Sequence, residues 1–430
     1  MVKEAFGVAG GDIQIGAGIL TRAALADEFA SASGKYFDND AGRFASPPAD
    51  AFDARKSEDV ARAMDALLQE VWSRCDPVES TAQKRSLRMK AIAYQKCLPS
   101  TDPLALQDID LPGPTPLARD LLVQVQAVAV NPVDTKVRQR QEPPVGEWKV
   151  LGWDAVGVVK AVGTDVSLFK PGDRVWYAGA INRAGSNSQL HLVDERIAAV
   201  APKSLDNAAA AAMPLTTITA WEMLFDRLGV PRGVGEGGGE GESLLIIGAA
   251  GGVGSMLVQL ARKLTKLNVI GTASRPETSD WVRELGAHHV IDHSKPLAGE
   301  ITKAGLPAPQ FVVSLTQTDQ HFAQIAELIA PQGRFGLIDD PAPGTIETGL
   351  LKVKAVSLHW ELMFTRSLFQ TADMVRQHEL LTEVAQLVDA GTLRTTLGEH
   401  LGAINAANLR QAHAMLDSGR ARGKLVLEDF

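Results

Sequence analysis

The chain has 430 residues, 45% of them hydrophobic and 22% charged, with a formal net charge of −8. That length suits two domains with an appendage, and the acidic balance with no Lys/Arg cluster argues against a nucleic-acid surface. No apolar run reaches membrane-spanning length, the N-terminus MVKEAFGVAGGD has no apolar signal-peptide core, and Cys75 and Cys97 cannot form a disulfide framework, so a cytoplasmic enzyme without a membrane partner is expected.

Residues 1–88 read as an extension and linker. Gly34–Asp40 reads as a strand ending in a turn, and Arg43–Asp53 as a Pro- and Ala-containing loop. Asp53 is placed to cap a helix from about Ala54 to Trp72, with Val60, Met64, Leu67, Leu68 and Val71 in one apolar stripe. So one-sided a helix needs a surface to dock on, or a second copy. No catalytic set is visible there: Tyr36 lacks a lysine four residues on. Polar, basic 73–88 reads as linker, and Met89–Tyr94 as a fresh domain start.

After Pro112, Pro114 and Pro116, Asp120–Val130 alternates and then runs apolar, as a strand does. Asn131-Pro132-Val133-Asp134 follows, then a loop. Gly152–Gly163 and Phe169–Val175 read as short strands punctuated by glycine turns, an all-β pattern. Pro231–Glu242 (PRGVGEGGGEGE) reads as a flexible surface loop.

Ser243–Thr265 (SLLIIGAAGGVGSMLVQLARKLT) is the stretch around which the rest of the chain is organised. Leu244–Ile247 has the composition of a buried parallel strand, and Met256, Leu257, Leu260, Ala261 and Leu264 recur at helical spacing. Between them lie Ala249, Ala250, Gly251, Gly252, Val253 and Gly254. Strand, glycine turn and helix together form a dinucleotide-binding pattern, although Ala249 stands where the fingerprint has its first glycine. The turn lets backbone approach a pyrophosphate, and the helix N-terminus supplies free N–H groups. About 20 residues on, where an NAD enzyme carries an acidic residue, stand Ser274 and Arg275; a hydroxyl and a guanidinium suit the 2′-phosphate of NADP. Strand and helix then alternate: helix Pro276–Leu285, strand His288–Asp292, strand Phe311–Leu315, helix Phe322–Leu328 and strand Arg334–Ile338. That rhythm predicts a doubly wound parallel sheet. Further on, Lys354–Leu358 is strand-like, and His359–Phe364 is an aromatic-rich run that either roofs a pocket, lines a dimer seam or packs in the core. Met374–Ala390 reads as a helix and Gly423–Glu428 as a closing strand.

Two resemblances add to this reading. SGKYFDNDAGRFASPPADAFD resembles the C-terminal tail of short-chain dehydrogenases/reductases, without that family's glycine fingerprint or Tyr-x-x-x-Lys pair. G-x-D-x-x-G-x-V-x-x-V-G over Gly152–Gly163, followed by K-P-G-D-R-V over Lys170–Val175, resembles the catalytic domain of medium-chain dehydrogenases/reductases, in the quinone oxidoreductase and zinc-type alcohol dehydrogenase-like branch. This second resemblance spans about 89–430. It implies an α/β chain with a GroES-like β-barrel catalytic domain over 89–213, completed by 350–430, and a Rossmann nucleotide domain over 214–349, with Pro214–Trp221 as the link. Zinc-dependent members use a cysteine, a Gly-His-Glu unit and a second Cys or Asp as ligands. Here the first position falls near Asn131 and the second reads Gly152-Trp153-Asp154, so no metal is expected.

Without a Lewis acid, the resemblance implies hydride delivery from NADPH to an already electrophilic acceptor, a quinone or an α,β-unsaturated carbonyl. It places Asn131 beside the nicotinamide, where its amide could donate to a carbonyl or simply serve as a turn residue. Asp134 either orients Asn131 or Lys136, or caps a helix. Tyr177 follows a strand bordering the cleft, and either donates a proton or packs. Thr216 matches a position near the nicotinamide, His293 ends the third nucleotide-domain strand, and Lys424 resembles a tail contact near the cofactor. Leu315-Thr316 and Leu337-Ile338 end the fourth and fifth strands, where backbones face the ligand crevice. A homodimer through sheet edges of the nucleotide domain is expected. The alternatives are a zinc-type alcohol dehydrogenase with a degraded site, and an NADPH-binding redox sensor with little turnover.

Overall fold

The computed structural model describes residues 88–233, 239–419 and 421–430, and the backbone alone at 36–38 and 43–45. Contacts divide the chain into two units, Met1–Lys84 and Arg85–Phe430. In the first, β1 (Tyr36–Asp38) pairs antiparallel with β2 (Arg43–Ala45). The start of the segment read as a Pro- and Ala-containing loop is therefore a strand, because pairing with β1 overrides local composition. The helix expected from Ala54, the linker through residue 87 and the centre of the 231–242 loop lie outside the described residues.

The second unit opens with β3 (Arg88–Tyr94), which pairs with β4 (Gln107–Pro112). β5 (Asp120–Val130) follows, with alternate side chains buried before a fully buried end, as its sequence pattern requires. The segment after Asp134, read as loop, belongs to helix α1 (Pro132–Arg140). Pro132 pre-sets its first turn and Asp134 accepts the Asn131 N–H at 2.8 Å, which closes the helix start. β6 (Lys149–Val150), β7 (Asp154–Val162), β8 (Arg174–Ala178), β9 (Leu190–Asp194) and β10 (Ala198–Val200) complete the first part of the barrel. Two alanine- and threonine-rich helices, α2 (Asn207–Ala211) and α3 (Pro214–Trp221), lead on to the nucleotide-binding part.

There β11 (Ser243–Ile247), wholly buried, feeds α4 (Gly252–Leu264). β12 (Asn268–Thr272), α5 (Pro276–Glu284), β13 (His289–Ile291), α6 (Leu297–Lys303), β14 (Phe311–Ser314), α7 (Thr318–Leu328) and β15 (Arg334–Leu337) continue the alternation. The expected domain division at Leu350 differs from what the sheet shows: β16 (Ser357–Trp360) pairs parallel with β15 and is the sixth strand. Strand order is β13-β12-β11-β14-β15-β16, all parallel, which puts the carboxyl ends of the central strands along one edge.

The chain then passes through α8 (Thr365–Leu368), α9 (Arg376–Asp389), β17 (Leu397–His400), α10 (Ala406–Asp417) and β18 (Lys424–Glu428). β18 returns to the barrel, antiparallel to the end of β5, in the order β10-β8-β7-β5-β18-β17 with β9 also on β5. The architecture is thus a GroES-like barrel plus a Rossmann-like parallel sheet. Among the described residues no helix is long and apolar enough to cross a membrane.

Candidate active site

β11 ends in a turn that only glycine makes easily. Gly248 has φ +83°, and its N–H donates to Thr272 Oγ1 at 3.1 Å. The left-handed residue is therefore Gly248, one position before the Ala249 at which the fingerprint begins. Its signal was in the sequence, directly after the apolar run. At Gly254 a Cβ would lie 2.5 Å from the Gly248 carbonyl oxygen, so glycine lets α4 press onto the turn. No side chain caps α4, and its first turn carries no acidic residue. Its leading N–H groups and positive dipole end suit an anionic phosphate.

The tail strand meets this turn. Gly423 pairs with Gly251 in a parallel bridge, and its N–H donates to Ala250 O at 3.0 Å. A Cβ on Gly252 would fall 2.8 Å from Lys424 Cδ and 2.9 Å from Thr216 Cγ2. The structure thus brings Ala250, Gly251, Gly252, Val253 and Gly254 together with Thr216 and Lys424. Thr216 is buried and its hydroxyl donates to Met213 O at 3.0 Å, so its methyl faces the turn.

The other sequence-derived cofactor residues sit at the carboxyl ends of the neighbouring strands. Ser274 is exposed just past β12, and Arg275 stands at the N-cap of α5 with Nε 3.3 Å from Glu277 Oε1. His293, past β13, has Nδ1 3.0 Å from the same Thr272 hydroxyl that receives Gly248. Burial lowers the His293 pKa below the usual imidazole value, which keeps the ring neutral at pH 7. Leu315 is half-buried and Thr316 exposed after β14, with Thr316 Cγ2 3.1 Å from where a Gly248 Cβ would lie. The Leu337 side chain is fully buried, so only its backbone can face a ligand; Ile338 is half-buried. An uncapped helix start with hydroxyl, guanidinium and imidazole groups along one strand edge fits a dinucleotide.

Beside the turn lies a cluster of four buried polar residues: Asn131, Asp134, Asp154 and Lys424. Lys424 Nζ donates to Val130 O at 3.0 Å, to Asp154 Oδ2 at 2.9 Å and to Asn131 Oδ1. Asn131 Nδ2 donates to Asp154 Oδ2 at 2.9 Å and to Ala129 O at 3.4 Å. Lysine only donates and a carboxylate only accepts, so these partners fix which way the amide faces. Leu215 N–H, on α3, donates to Asp154 Oδ1 at 2.7 Å. Asp134 is pushed up to about 7 by burial, against the pull of the Asn131 N–H and the Lys424 charge. The sequence reading named Asp154 only within the Gly152-Trp153-Asp154 unit and not as a candidate site residue, although an acid opening the otherwise apolar DAVGVV run was a signal.

Tyr177 stands apart from this cluster. It is buried, and His191 Nε2 lies 2.9 Å from Ala184 O, which only accepts. His191 Nδ1 therefore accepts the Tyr177 hydroxyl proton across 3.0 Å. Burial holds His191 down at about 4 and raises the Tyr177 phenol above its ordinary value. The hydroxyl is committed to a neutral histidine inside the barrel.

The residues at the zinc-ligand positions do not fit zinc. Trp153 packs edge-on against Phe364 at 5.6 Å and donates its indole N–H to Ala180 O at 3.3 Å. Asn131 and Asp154 both face an ammonium group. A cation already neutralises the oxygens, and among the described residues no group of His, Cys, Asp and Glu side chains is arranged to hold a metal ion.

In comparison with known proteins, residues 118–201 match the alcohol dehydrogenase GroES-like domain and residues 285–427 the zinc-binding dehydrogenase family. A zinc-type alcohol dehydrogenase-like protein of Staphylococcus aureus is 37% identical over 343 residues, which cover 79% of this chain and 99% of that protein. The crystal structure of a putative zinc-dependent alcohol dehydrogenase from Rhizobium etli superposes with a TM-score of 0.76 at 60% identity, over 80% of this chain and 98% of that one. The quinone oxidoreductase of Escherichia coli, complexed with NADPH, gives a TM-score of 0.64 at 22% identity over 79% and 99%, a likeness of fold alone. The chain belongs to the medium-chain dehydrogenase/reductase family, in its quinone oxidoreductase and zinc-type alcohol dehydrogenase-like branch.

Proposed function

We propose that this oxidoreductase transfers hydride from NADPH to quinones or α,β-unsaturated carbonyls without a metal. The observation that carries the reading is the Lys424 ammonium, held between Asn131 and Asp154 beside the glycine turn. Bound NADPH would supply a hydride to the electrophilic carbon of the acceptor. The chain's own contribution is binding, orientation and exclusion of water.

In this reading the N–H groups at the start of α4 take the pyrophosphate, and Ser274, Arg275 and His293 take the 2′-phosphate. Thr216 and the backbones of Leu315, Thr316, Leu337 and Ile338 frame the ribose and the carboxamide. Asn131, Asp134, Asp154 and Lys424 form one rigid wall of the acceptor pocket. Hydride addition to such an acceptor leaves a hydroquinone anion or enolate, whose charge is delocalised and which solvent protonates. No general acid is required, which agrees with a Tyr177 hydroxyl committed to His191. The E. coli quinone oxidoreductase that shares this fold was crystallised with NADPH; the choice of NADPH over NADH in this chain rests on Ser274 and Arg275. The proposal includes a homodimer through the edge of β16, where Trp360 is exposed and one side of the strand has no partner strand among the described residues.

The test is oxidation of NADPH against NADH by EDTA-treated protein, with 9,10-phenanthrenequinone and a simple enone as acceptors. NADPH-selective, chelator-resistant turnover is expected. Turnover only after zinc is restored would replace the proposal with an alcohol dehydrogenase. NADPH binding without acceptor-dependent oxidation would replace it with a sensor.

A further inference from the structure

We propose that Lys424 is a positioning residue that serves as the resident cation of this site, in place of a metal, and ties the acceptor wall to the cofactor turn. The inference rests on the proposed hydride-transfer function and deepens it. Lys424 is the first residue of β18, and Gly423 before it is bridged to Gly251. Its stem therefore runs past the glycine turn: Cδ lies 2.8 Å from where a Gly252 Cβ would be. Its head reaches the end of β5 and the start of β7, and makes three hydrogen bonds there, to Val130 O, Asn131 Oδ1 and Asp154 Oδ2.

An ammonium has three protons, and all three are used. Lys424 thus has no proton to offer an acceptor, which distinguishes a positioning role from an acid. Its charge offsets the buried Asp154 carboxylate, with buried Asp134 alongside. By the family resemblance, the first zinc ligand falls near Asn131 and Asp154 belongs to the unit that reads Gly-His-Glu in zinc-dependent members; here both residues turn an oxygen toward Lys424. The same side chain thereby does two jobs that share one geometry. It locks the Asn131 amide, and it fixes the tail against the turn on which the cofactor would sit.

The experiment compares the full-length wild type with K424R and K424M. Each is incubated with zinc chloride, desalted and analysed for bound zinc, then titrated with NADPH by fluorescence, with thermal unfolding as the check on folding. Wild type is expected to retain far less than one zinc per chain. K424R, which keeps the charge, is expected to bind NADPH within about threefold of wild type, whereas K424M, which leaves a buried carboxylate uncompensated, weakens it about tenfold or more. One zinc retained per wild-type chain would overturn the proposal, as would K424M binding NADPH as tightly as wild type. Zinc retention by wild type needs no variant, so the proposal stays testable if K424M fails to fold. If wild type does not bind NADPH, the functional reading fails, while zinc retention still decides what Lys424 does.

Discussion

Two alanine substitutions in the glycine turn separate folding from cofactor binding. At Gly254 a Cβ would meet Gly248 O at 2.5 Å and Ala249 Cα at 2.6 Å, against the 3.4–4 Å of ordinary contact. These are backbone atoms between a buried strand and a helix packed on it, so they cannot rotate away. The helix must lift by about 1 Å, an overpacking that costs about 1–3 kcal/mol. At about 2–4 °C per kcal/mol for a domain of 150–250 residues, G254A should melt several degrees below wild type. Gly251 is the opposite case. A Cβ there would meet Gly248 O at 3.5 Å, and its φ of −73° is open to any residue. G251A should therefore unfold like wild type, or be stabilised by about 0.4–1 kcal/mol through loss of unfolded-state freedom. If a pyrophosphate lies against that Cα, G251A should still weaken NADPH about tenfold or more, which is about 1.4 kcal/mol. Calorimetric melting and fluorescence titration of both variants supply the data. Wild-type melting of G254A, or wild-type NADPH affinity of G251A, would refute the reasoning.

Loss of the Arg275 guanidinium should remove a charge-assisted hydrogen bond worth about 1.5–3 kcal/mol, so R275A should bind NADPH about 10–100-fold more weakly with NADH affinity unchanged; equal losses for both would point to a merely structural arginine. Y177F strands His191 Nδ1 without a donor and should cost about 1–3 kcal/mol of stability while leaving NADPH-dependent turnover intact; a large fall in kcat at unchanged stability would make Tyr177 catalytic instead. Glu361 is pushed up to about 9, first by burial and then by the Glu222 carboxylate, against an unfolded value of about 4.3. Between those values the folded protein holds the extra proton, so this group's contribution to stability falls as pH rises through the window. E361Q stays neutral, and its melting temperature should fall less than that of wild type from about pH 6 to about pH 9; parallel slopes would argue against a raised Glu361.

The nucleotide half was legible because its signals are local. SLLII is wholly buried, so it reads as an unbroken apolar run, and the helix after the turn buries Met256, Leu257, Leu260 and Ala261 at helical spacing. The body of helix α1 was read as loop because PVDTKVRQR has only two apolar residues besides its proline, Val133 and Val137; the one cue to a helix was its start, where Asp134 was weighed as a cap beside Pro132. β16 has a mixed exposure pattern and enters the sheet only by pairing with β15, so its membership was not visible in SLHW itself. The buried polar cluster was half legible. Asn131, Asp134 and Lys424 were each named from the sequence one by one, but Lys424 and Asp154 meet across 270 residues of sequence, and no local pattern records such a contact. Tyr177 was placed at the cleft by its strand, yet its partner His191 comes from β9 through the register of the barrel.

The central claim is direct, metal-free hydride transfer, and one isotope measurement tests it. Metal-stripped protein is mixed with NADPH deuterated at the transferable C4 position and with a simple enone, and the product is analysed by mass spectrometry and NMR. One deuterium at the carbon β to the carbonyl, with a solvent proton at the α-carbon and no response to added zinc, is the predicted result. Deuterium absent from the β-carbon, or product formed only once zinc is supplied, would contradict the account.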